Sequence, residues 1–588
     1  MKQRPSLGIL ARVTMRLGSL PSRQVSWALV VLFTAWVLVD VLLLKLSSGL
    51  ATSTYDAMVR ARVYAAAPDP RIVIVDIDEA SLLRMGKEFG RWPWPRDTLA
   101  TVLEHIEKQQ PAAVVWDIVF SDADRLSPGG DAAFNAAVLR SEHSHFSVVR
   151  LPEKNDGLSQ ITRKELPGFW LPAATNTART GPDSVTTVAL IPPALPAVAA
   201  GRMGYNNGYV DSDGVLRRFR YSETLGDGSI IQSLPLSVAN SIKNTINLGA
   251  VSAHFDWSSD TFKSKNELFV WRKNANIYPL VPFADVFAQA DGGAPLQAVP
   301  SFAGKVVIIG ATAPSLHDVH ATPLSPMQAG VDSLATAIDN KLNNRHIAEL
   351  PRWLQAMLAV LLCVGIALWV RVHSAASLAP ALLLLPASLL GISYASLNGL
   401  PLFIDLNLAA GLGLVFLAAL RFWNSWRRQY WSALPLDNDK AKRPLQGLWA
   451  LSSEAPWLNA ALDRLIDAIE THAPQCRLVT PDVSVSWPAT PHWPELARFI
   501  AISGPYAQLL ASQKSLGEAI LRISKLGEVR STDLQIMQAA LTREALCAAA
   551  LTSWAALAQS PTAKALQLEA TVESITAPTL QPAASSAS

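Results

Sequence analysis

Cysteine is nearly missing from this chain: 588 residues contain three, Cys363, Cys476 and Cys547. No two of them stand at the spacing of a zinc-ligand pair, which excludes a Cys-based zinc site. None lies between Ser47 and Arg352, so a disulfide framework is excluded from that long stretch. Charge is scarce as well. Asp, Glu, Lys and Arg make up 16% of the residues and the net charge is only +3, with no basic patch interleaved with aromatics. That excludes a nucleic-acid partner. The glycine-rich signatures G-x-G-x-x-G and G-x-x-x-x-G-K-[ST] are both missing, as is the G-x-S-x-G nucleophile elbow. Dinucleotide, P-loop and α/β-hydrolase chemistry lose their sequence basis, and no cofactor and no metal ligand set is expected.

What the chain has instead is apolar length. Half of its residues are hydrophobic, and four runs approach the roughly 20 residues needed to cross a bilayer: Trp27–Leu46, Trp353–Val370, Ala375–Leu397 and Leu402–Leu420. The first is longer than the ~7–15 residues of a signal-peptide core and is read as an uncleaved anchor. Lys2, Arg4, Arg12, Arg16 and Arg23 precede it, Arg371 lies between the second and third runs, and Arg421, Arg427 and Arg428 follow the fourth. The connection NGLPLFIDL carries no basic residue. The positive-inside rule then puts residues 1–26, the short loop and the C-terminal segment on the cytoplasmic side of the membrane, with 47–352 outside. Asp40 is expected to lie towards the outer end of its helix, snorkelling or paired within the bundle, and Pro380 and Pro386 to kink the third helix.

Residues 47–352 read as an α/β domain. Ile72–Asp78, Ala112–Phe120, Phe146–Val149 and GKVVIIGAT (Gly304–Thr312) are short β-branched runs of the kind buried on both faces of a parallel sheet. Between them, a helix capped by Asp97 with a stripe of Leu99, Val102, Leu103 and Ile106, a helix over DAAFNAAVLR, and one over Val331–Leu342 alternate with the strands. GYVDSDGVLRRFRY adds a turn at Asp213–Gly214 and an antiparallel excursion. In such sheets ligands bind beyond the carboxyl ends of the strands. Asp76, Asp78 and Glu79 sit at one such end, and Asp117, Asp122 and Asp124 at another. The alternatives for these acids are a divalent-cation site, or capping of the following helices and pairing with arginines such as Arg91, Arg96 and Arg125. Asp211 and Asp213 do not open an EF-hand, because position twelve would be Arg220. His317 and His320 in HDVH are read as loop residues. In RWPWPR (Arg91–Arg96), proline stiffens a loop bearing two indoles. It is read as a strut or a ligand lip, with Arg96 reaching the carboxylates. The candidate ligand-binding residues are therefore Asp76, Asp78, Trp92, Trp94, Arg96 and Asp117; none is assigned as catalytic.

The chain carries, in order, IVIVDIDEASL, RWPWPR, VVWDIVF, DSDGVLRR, KVVIIGATA and ATPLSPMQAGVDSLATAIDNKL. This ordered set resembles the second family of CHASE domains, bacterial extracytoplasmic sensor modules. The resemblance implies one membrane helix before the sensor and three after it, and signal reception as the function. It supplies neither a ligand nor catalytic residues.

Relatives of that kind often end in a cyclase or kinase domain. Residues 421–570 lack a G-G-D-E-F signature, the H-R-D and D-F-G of a protein kinase and the boxes of a histidine kinase. They read as a small α or α/β interaction domain, followed by a tail over 571–588 expected to be disordered. Its elements are strands at CRLVTP and VSVSW, an apolar helix face of Leu458, Leu462, Leu465, Ile466 and Ile469, and a Thr532–Gln535 capping box ahead of an alanine-rich helix. That helix face serves either as the segment's core or as a docking surface. Two functions stay open. One is a receptor, either single or a homodimer, that meets a small-molecule or other periplasmic stimulus and signals to a separate cytoplasmic protein. The other is an enzyme using the outer carboxylates or an unrecognised cyclase or kinase fold.

Overall fold

The computed structural model describes residues 22–124, 127–171, 187–226, 228–245, 266–275, 277–372, 380–431, 445–452, 459–479, 499–524, 536–539 and 549. The chain divides into two compact units, Leu44–Gln355 with Leu390–Asn407, and Met1–Leu43 with Ala356–Leu389 and Leu408–Ser588.

The first unit opens with helix α1 (Leu46–Arg60) and then alternates strands and helices. In chain order these are β1 (Ile72–Ile77), α2 (Glu79–Phe89), α3 (Arg96–Glu107), β2 (Ala113–Trp116), α4 (Pro128–Arg140), β3 (Ser144–Arg150), β4 (Leu190–Ile191) and β5 (Arg202–Tyr205). There follow α5 (Leu234–Thr245), β6 (Leu280–Pro282), α6 (Phe283–Ala290), β7 (Val306–Ala311) and α7 (Gly330–Leu342). The seven strands form one sheet in the order β6-β1-β7-β2-β3-β4, with β5 also on β3. All pairings are parallel except β3 with β4.

Side chains of successive strand residues leave opposite faces, and the two cores follow that alternation. Val73, Val75, Ile77, Val114, Trp116, Val307 and Ile309 face α3, α4 and α6, where Leu99, Val102, Leu103, Phe134 and Phe283 are buried. Ile72, Ile74, Ala113, Val115, Val306 and Ile308 face α5 and α7. The mostly parallel sheet with helices on both faces is as the residue pattern implies. Two details differ. Asp97 lies in the first turn of α3 and Pro95 occupies the cap position. Gly310 does not make a turn after the strand but lies within β7. A Cβ there would come within 2.6 Å of Val331 and 3.1 Å of Asp117 Cβ, so the glycine lets α7 and β2 close on the sheet.

The antiparallel excursion consists of short pairs, Arg218–Phe219 with Glu267–Leu268 and Ser222–Thr224 with Ile230–Gln232. A third core lies beside it. Tyr55, Met58 and Val59 of α1 pack with Phe219, Phe269, Trp271, Ala337 of α7, Ile347, Leu397 and Phe403.

Among the described residues, four helices are long and apolar enough to cross a membrane: Gln24–Leu44, Arg352–Val370, Ala381–Gly399 and Asn407–Trp431. We number them spans 1 to 4. Asp40 is buried and opens a π-helical turn, Asp40–Leu44, before Lys45 breaks the helix in the left-handed region. Pro380 precedes span 3, and its carbonyl accepts bonds from Leu383 and Leu384, so only Pro386 lies inside that helix. The expected start of span 4 at Leu402 is too early. Leu402–Phe403 pairs in parallel with Ala348–Glu349, and the ladder holds those residues extended.

In the second unit, Val30, Cys363, Phe416, Leu417 and Leu420 pack spans 1, 2 and 4 together, with Phe33 edge-on to Phe416 at 5.2 Å. After span 4 come β8 (Gln446–Ser452), α8 (Asn459–His472), β9 (Arg477–Val479), β10 (Phe499–Gly504), α9 (Tyr506–Ser524) and β11 (Met537–Ala539). They form one antiparallel sheet in the order β9-β10-β8-β11. A β-α-β-β-α-β chain with the first and third strands central is the split βαβ arrangement. Leu465, Ile466 and Ile469 of α8 lie in its own core with Trp449, Leu478 and Ile502; Leu458 is outside the described residues. Met537–Ala539 is a strand on β8, not part of an alanine-rich helix, and VSVSW and the capping box Thr532–Gln535 are outside the described residues.

Candidate functional site

Two places in the first unit gather charge, and they are built in different ways. The first is the carboxyl end of the sheet. Asp76 Oδ2 accepts from Thr312 Oγ1 at 2.6 Å and Oδ1 from the Thr312 amide at 3.0 Å. Burial raises the pKa of Asp76, with the Thr312 bonds acting against it. Asp78 caps α2, accepting from the Ser81 amide at 2.7 Å. Asp117, just beyond β2, accepts a 2.7 Å bond from Asn206 Nδ2 at the end of β5. Its Oδ2 is shielded from solvent and has no hydrogen-bond partner among the described residues. Burial, then the charge of Asp318, push the Asp117 carboxyl up to about 7, against the Asn206 bond.

The strand order separates the expected acidic cluster. β7 lies between β1 and β2, with Gly310 opposite Asp76, so Asp117 is bonded to Asn206 and feels the charge of Asp318, while Asp76 and Asp78 hold separate local bonds. Among the described residues no three His, Cys, Asp or Glu are placed to hold a metal ion. Asp318 was visible only as part of HDVH. Its carbonyl accepts from the Gly330 amide at 2.9 Å, and its carboxylate lies where a Cβ on Gly330 would stand. Its side chain remains 44% exposed, with His320 Nε2 3.9 Å away.

The elbow lies at the start of α3. Trp94 is buried and tilted against Phe283 at 5.2 Å, and Trp92 meets Trp94 edge-on at 4.9 Å. Both indoles pack in the domain's own core. Arg96 does not reach Asp76, Asp78 or Asp117. It pairs with Asp131 of α4 and donates to the Asp122 carbonyl, while its guanidinium stands over Phe120 at 5.5 Å. The acids with arginine partners are thus others than those at the strand ends.

The second place is an arginine junction at DSDGVLRR. Gly214 adopts φ 81° and its amide donates to the Asp211 carbonyl at 2.9 Å, which folds the turn back on itself. Arg217 is buried and forks onto Asp56 of α1 at 2.8 and 2.7 Å, and also reaches Asp211 at 3.0 Å and Asp213 at 2.7 Å. Arg218 forks onto Glu349 at 3.0 and 2.6 Å and meets both oxygens of Asp211 at 2.7 Å. Burial alone would lower the Arg217 pKa; the bonds to Asp56, Asp213 and Asp211 outweigh it and raise it. Asp56 follows span 1 and Glu349 precedes span 2, so one turn of the domain holds the chain at both points. Adjacent arginines after a DSDG turn are a visible signal, but their partners 161 and 131 residues away are not.

The architecture is that of a membrane protein, an α/β domain set between helices long and apolar enough to cross a bilayer. The chain belongs to the CHASE2 family: the CHASE2 domain model matches residues 28–371, more than half of the sequence, with most of span 1 and all of span 2. CHASE2 domains are sensor domains. No curated protein and no solved structure matches the chain.

Proposed function

We propose that this protein is a bacterial inner-membrane receptor whose CHASE2 domain meets a stimulus in the periplasm and whose C-terminal segment signals to a separate cytoplasmic protein by contact, with both termini cytoplasmic. The observation that carries the reading is the arginine junction, which ties α1 after span 1 and Glu349 before span 2 to a single turn of the sensor. Any change in the sensor that moves this turn acts on both chain segments at once. Rigid charge-paired contacts of this kind can bias a two-state arrangement of helices.

At the other end, the last turn of span 4 is bound to α8. Arg427 pairs with Asp467 and with Glu470 at 2.5 Å, and Arg428 forks onto Asp463 at 2.8 and 2.9 Å. Arg477 stands over Tyr430 and Trp431 at 4.6 and 4.7 Å. Movement of span 4 would therefore carry α8 with it. A homodimer in the membrane would double these contacts, and the stimulus would be a small molecule or another periplasmic signal.

Two experiments test this. In a background without native cysteines, a cysteine at Ser127 should react with an impermeant thiol reagent in intact cells, and one at Ser560 should not; the reverse pattern contradicts the orientation. Purified protein incubated with ATP or GTP and magnesium should give no cyclic nucleotide and no phosphoprotein. Turnover would replace contact signalling with an enzyme.

A further inference from the structure

The sheet's carboxyl end contains an arrangement that the receptor reading does not use. Asp117 has one oxygen bonded to a neutral amide and one shielded and unbonded, and the nearest acting charge is a second carboxylate. The elements around it bring acids rather than bases. Asp318 lies on the loop before α7, with His320 behind it. Asp332 in the first turn of α7 accepts from Gln328. Asp76, two strands away, is bonded to Thr312, and β7 and β5 contribute Gly310 and Asn206. Among the described residues, no cation contributes to the state of Asp117.

Ionised, Asp117 would set a desolvated charge against Asp318. Opposed carboxylates in a shared site do not both ionise without cost. Of the two, Asp318 is free to leave: it is the exposed partner, held by the short pairing of Val319–His320 with Gln328–Ala329 and by its contact at Gly330. Protonated, Asp117 removes the repulsion, and a protonated His320 would add a counter-charge to Asp318 from the other side.

We propose that this end of the sheet is a proton-operated switch, in which protonated Asp117 lets the Asp318 loop dock on the first turn of α7 and ionised Asp117 drives it into solvent. The stimulus is then the periplasmic proton. The link to the membrane side is α7 itself. Its first turn receives the loop, while further along the same helix Ala337 packs in the core with Tyr55 and Val59 of α1, and Ala337 O accepts from Tyr221. The burial-raised pKa of Asp117 near neutrality supports the placement of the transition. The switch rests on the receptor reading only for its consequence across the membrane.

Hydrogen exchange of residues 312–330 in the full chain, held in lipid nanodiscs and corrected for intrinsic rates, tests it across about pH 5 to 8. Protection should fall several-fold as pH rises, with a midpoint near neutrality. Asp117→Asn keeps an acceptor for Asn206 and should hold the loop protected throughout. Asp318→Asn, which removes the charge that is repelled, should likewise hold the loop protected throughout, and Asn206→Ala, which removes the donor favouring the charged form of Asp117, should move the midpoint up. A flat wild-type profile, or one unchanged in all three variants, overturns the switch. A loop response with no change in α8 supports the switch and counts against the relay.

Discussion

The arginine junction and the carboxyl end of the sheet are both charged and both partly withheld from water, yet their bonding is opposite. At the junction every carboxylate oxygen of Asp211 and Asp213 faces a guanidinium, and Arg217 is met by three acids. At the sheet end a carboxylate is left half-bonded beside another carboxylate. Buried charge that is fully paired resists rearrangement, because losing one partner strands the rest. Buried charge that is under-bonded has two states of comparable free energy, because the proton can satisfy what the protein does not. The comparison assigns holding to one region and changing to the other, within a single domain.

The sharpest way to break that assignment is at the junction. Arg217→Leu leaves Asp56, Asp211 and Asp213 without their shared cation, and loss of one partner from a buried network costs about 3–5 kcal/mol. Thermal unfolding of the full chain should show this loss across the neutral range. Trp94→Ala is the packing control. It removes a buried indole and costs a similar amount, about 3–5 kcal/mol, with no change in how stability depends on pH. A pH-dependent loss would bring the elbow into the titrating site.

At the sheet end the sign is reversed. The Asp117 carboxyl goes from its ordinary 3.8 to about 7 on folding, so the folded chain keeps a proton that the unfolded chain releases. Stability therefore falls as pH rises from about 4 to about 7. A gap of roughly three pH units, at about 1.4 kcal/mol each, makes the full loss about 4 kcal/mol. Asp117→Asn should be more stable than the wild type at pH 8 by up to that amount, with the gain vanishing towards pH 4. Melting temperatures at the two pH values measure it; equal gains at both would mean that Asp117 does not titrate. The smallest effect belongs to Arg428→Ala. That pair with Asp463 is partly exposed, at 29% and 16%, and should be worth no more than about 1 kcal/mol.

How much of this the residues announced follows from the range of the interactions. β2 and β7 were legible because each is buried on both faces and reads as an unbroken apolar run, and β1 and β3 because the short stretches IVIV and VV stand out within them, a purely local signal. Helix α1 was not. LSSGLATSTYDAMVR is rich in Ser and Thr, weak helix formers, and carries a glycine, and the burial of Tyr55, Met58 and Val59 in a core drawn from distant segments stabilises it. Strands β8 and β10 escaped for a similar reason. In QGLWALS and FIAISG the residues facing away from the helices, Leu448, Ala450 and Ala501, are buried too, so the alternation of a half-exposed strand is missing. Of the six candidate ligand residues, Asp117 stands at the site argued here. Asp76 and Asp78 were drawn to it by an assumed strand adjacency, and the strand inserted between β1 and β2, β7, comes from far along the chain, starting at Val306.

The central claim is that the sensor governs the C-terminal segment through contacts alone. It is tested most directly by hydrogen exchange of α8 (Asn459–His472) in the full chain in nanodiscs, comparing wild type with Arg218→Ala, which releases Glu349 from the turn and leaves Asp211 held by Arg217 alone. The account predicts altered protection in α8, far along the chain from the substitution and with the sensor sheet still protected. Unchanged protection in α8 with the junction broken would contradict it.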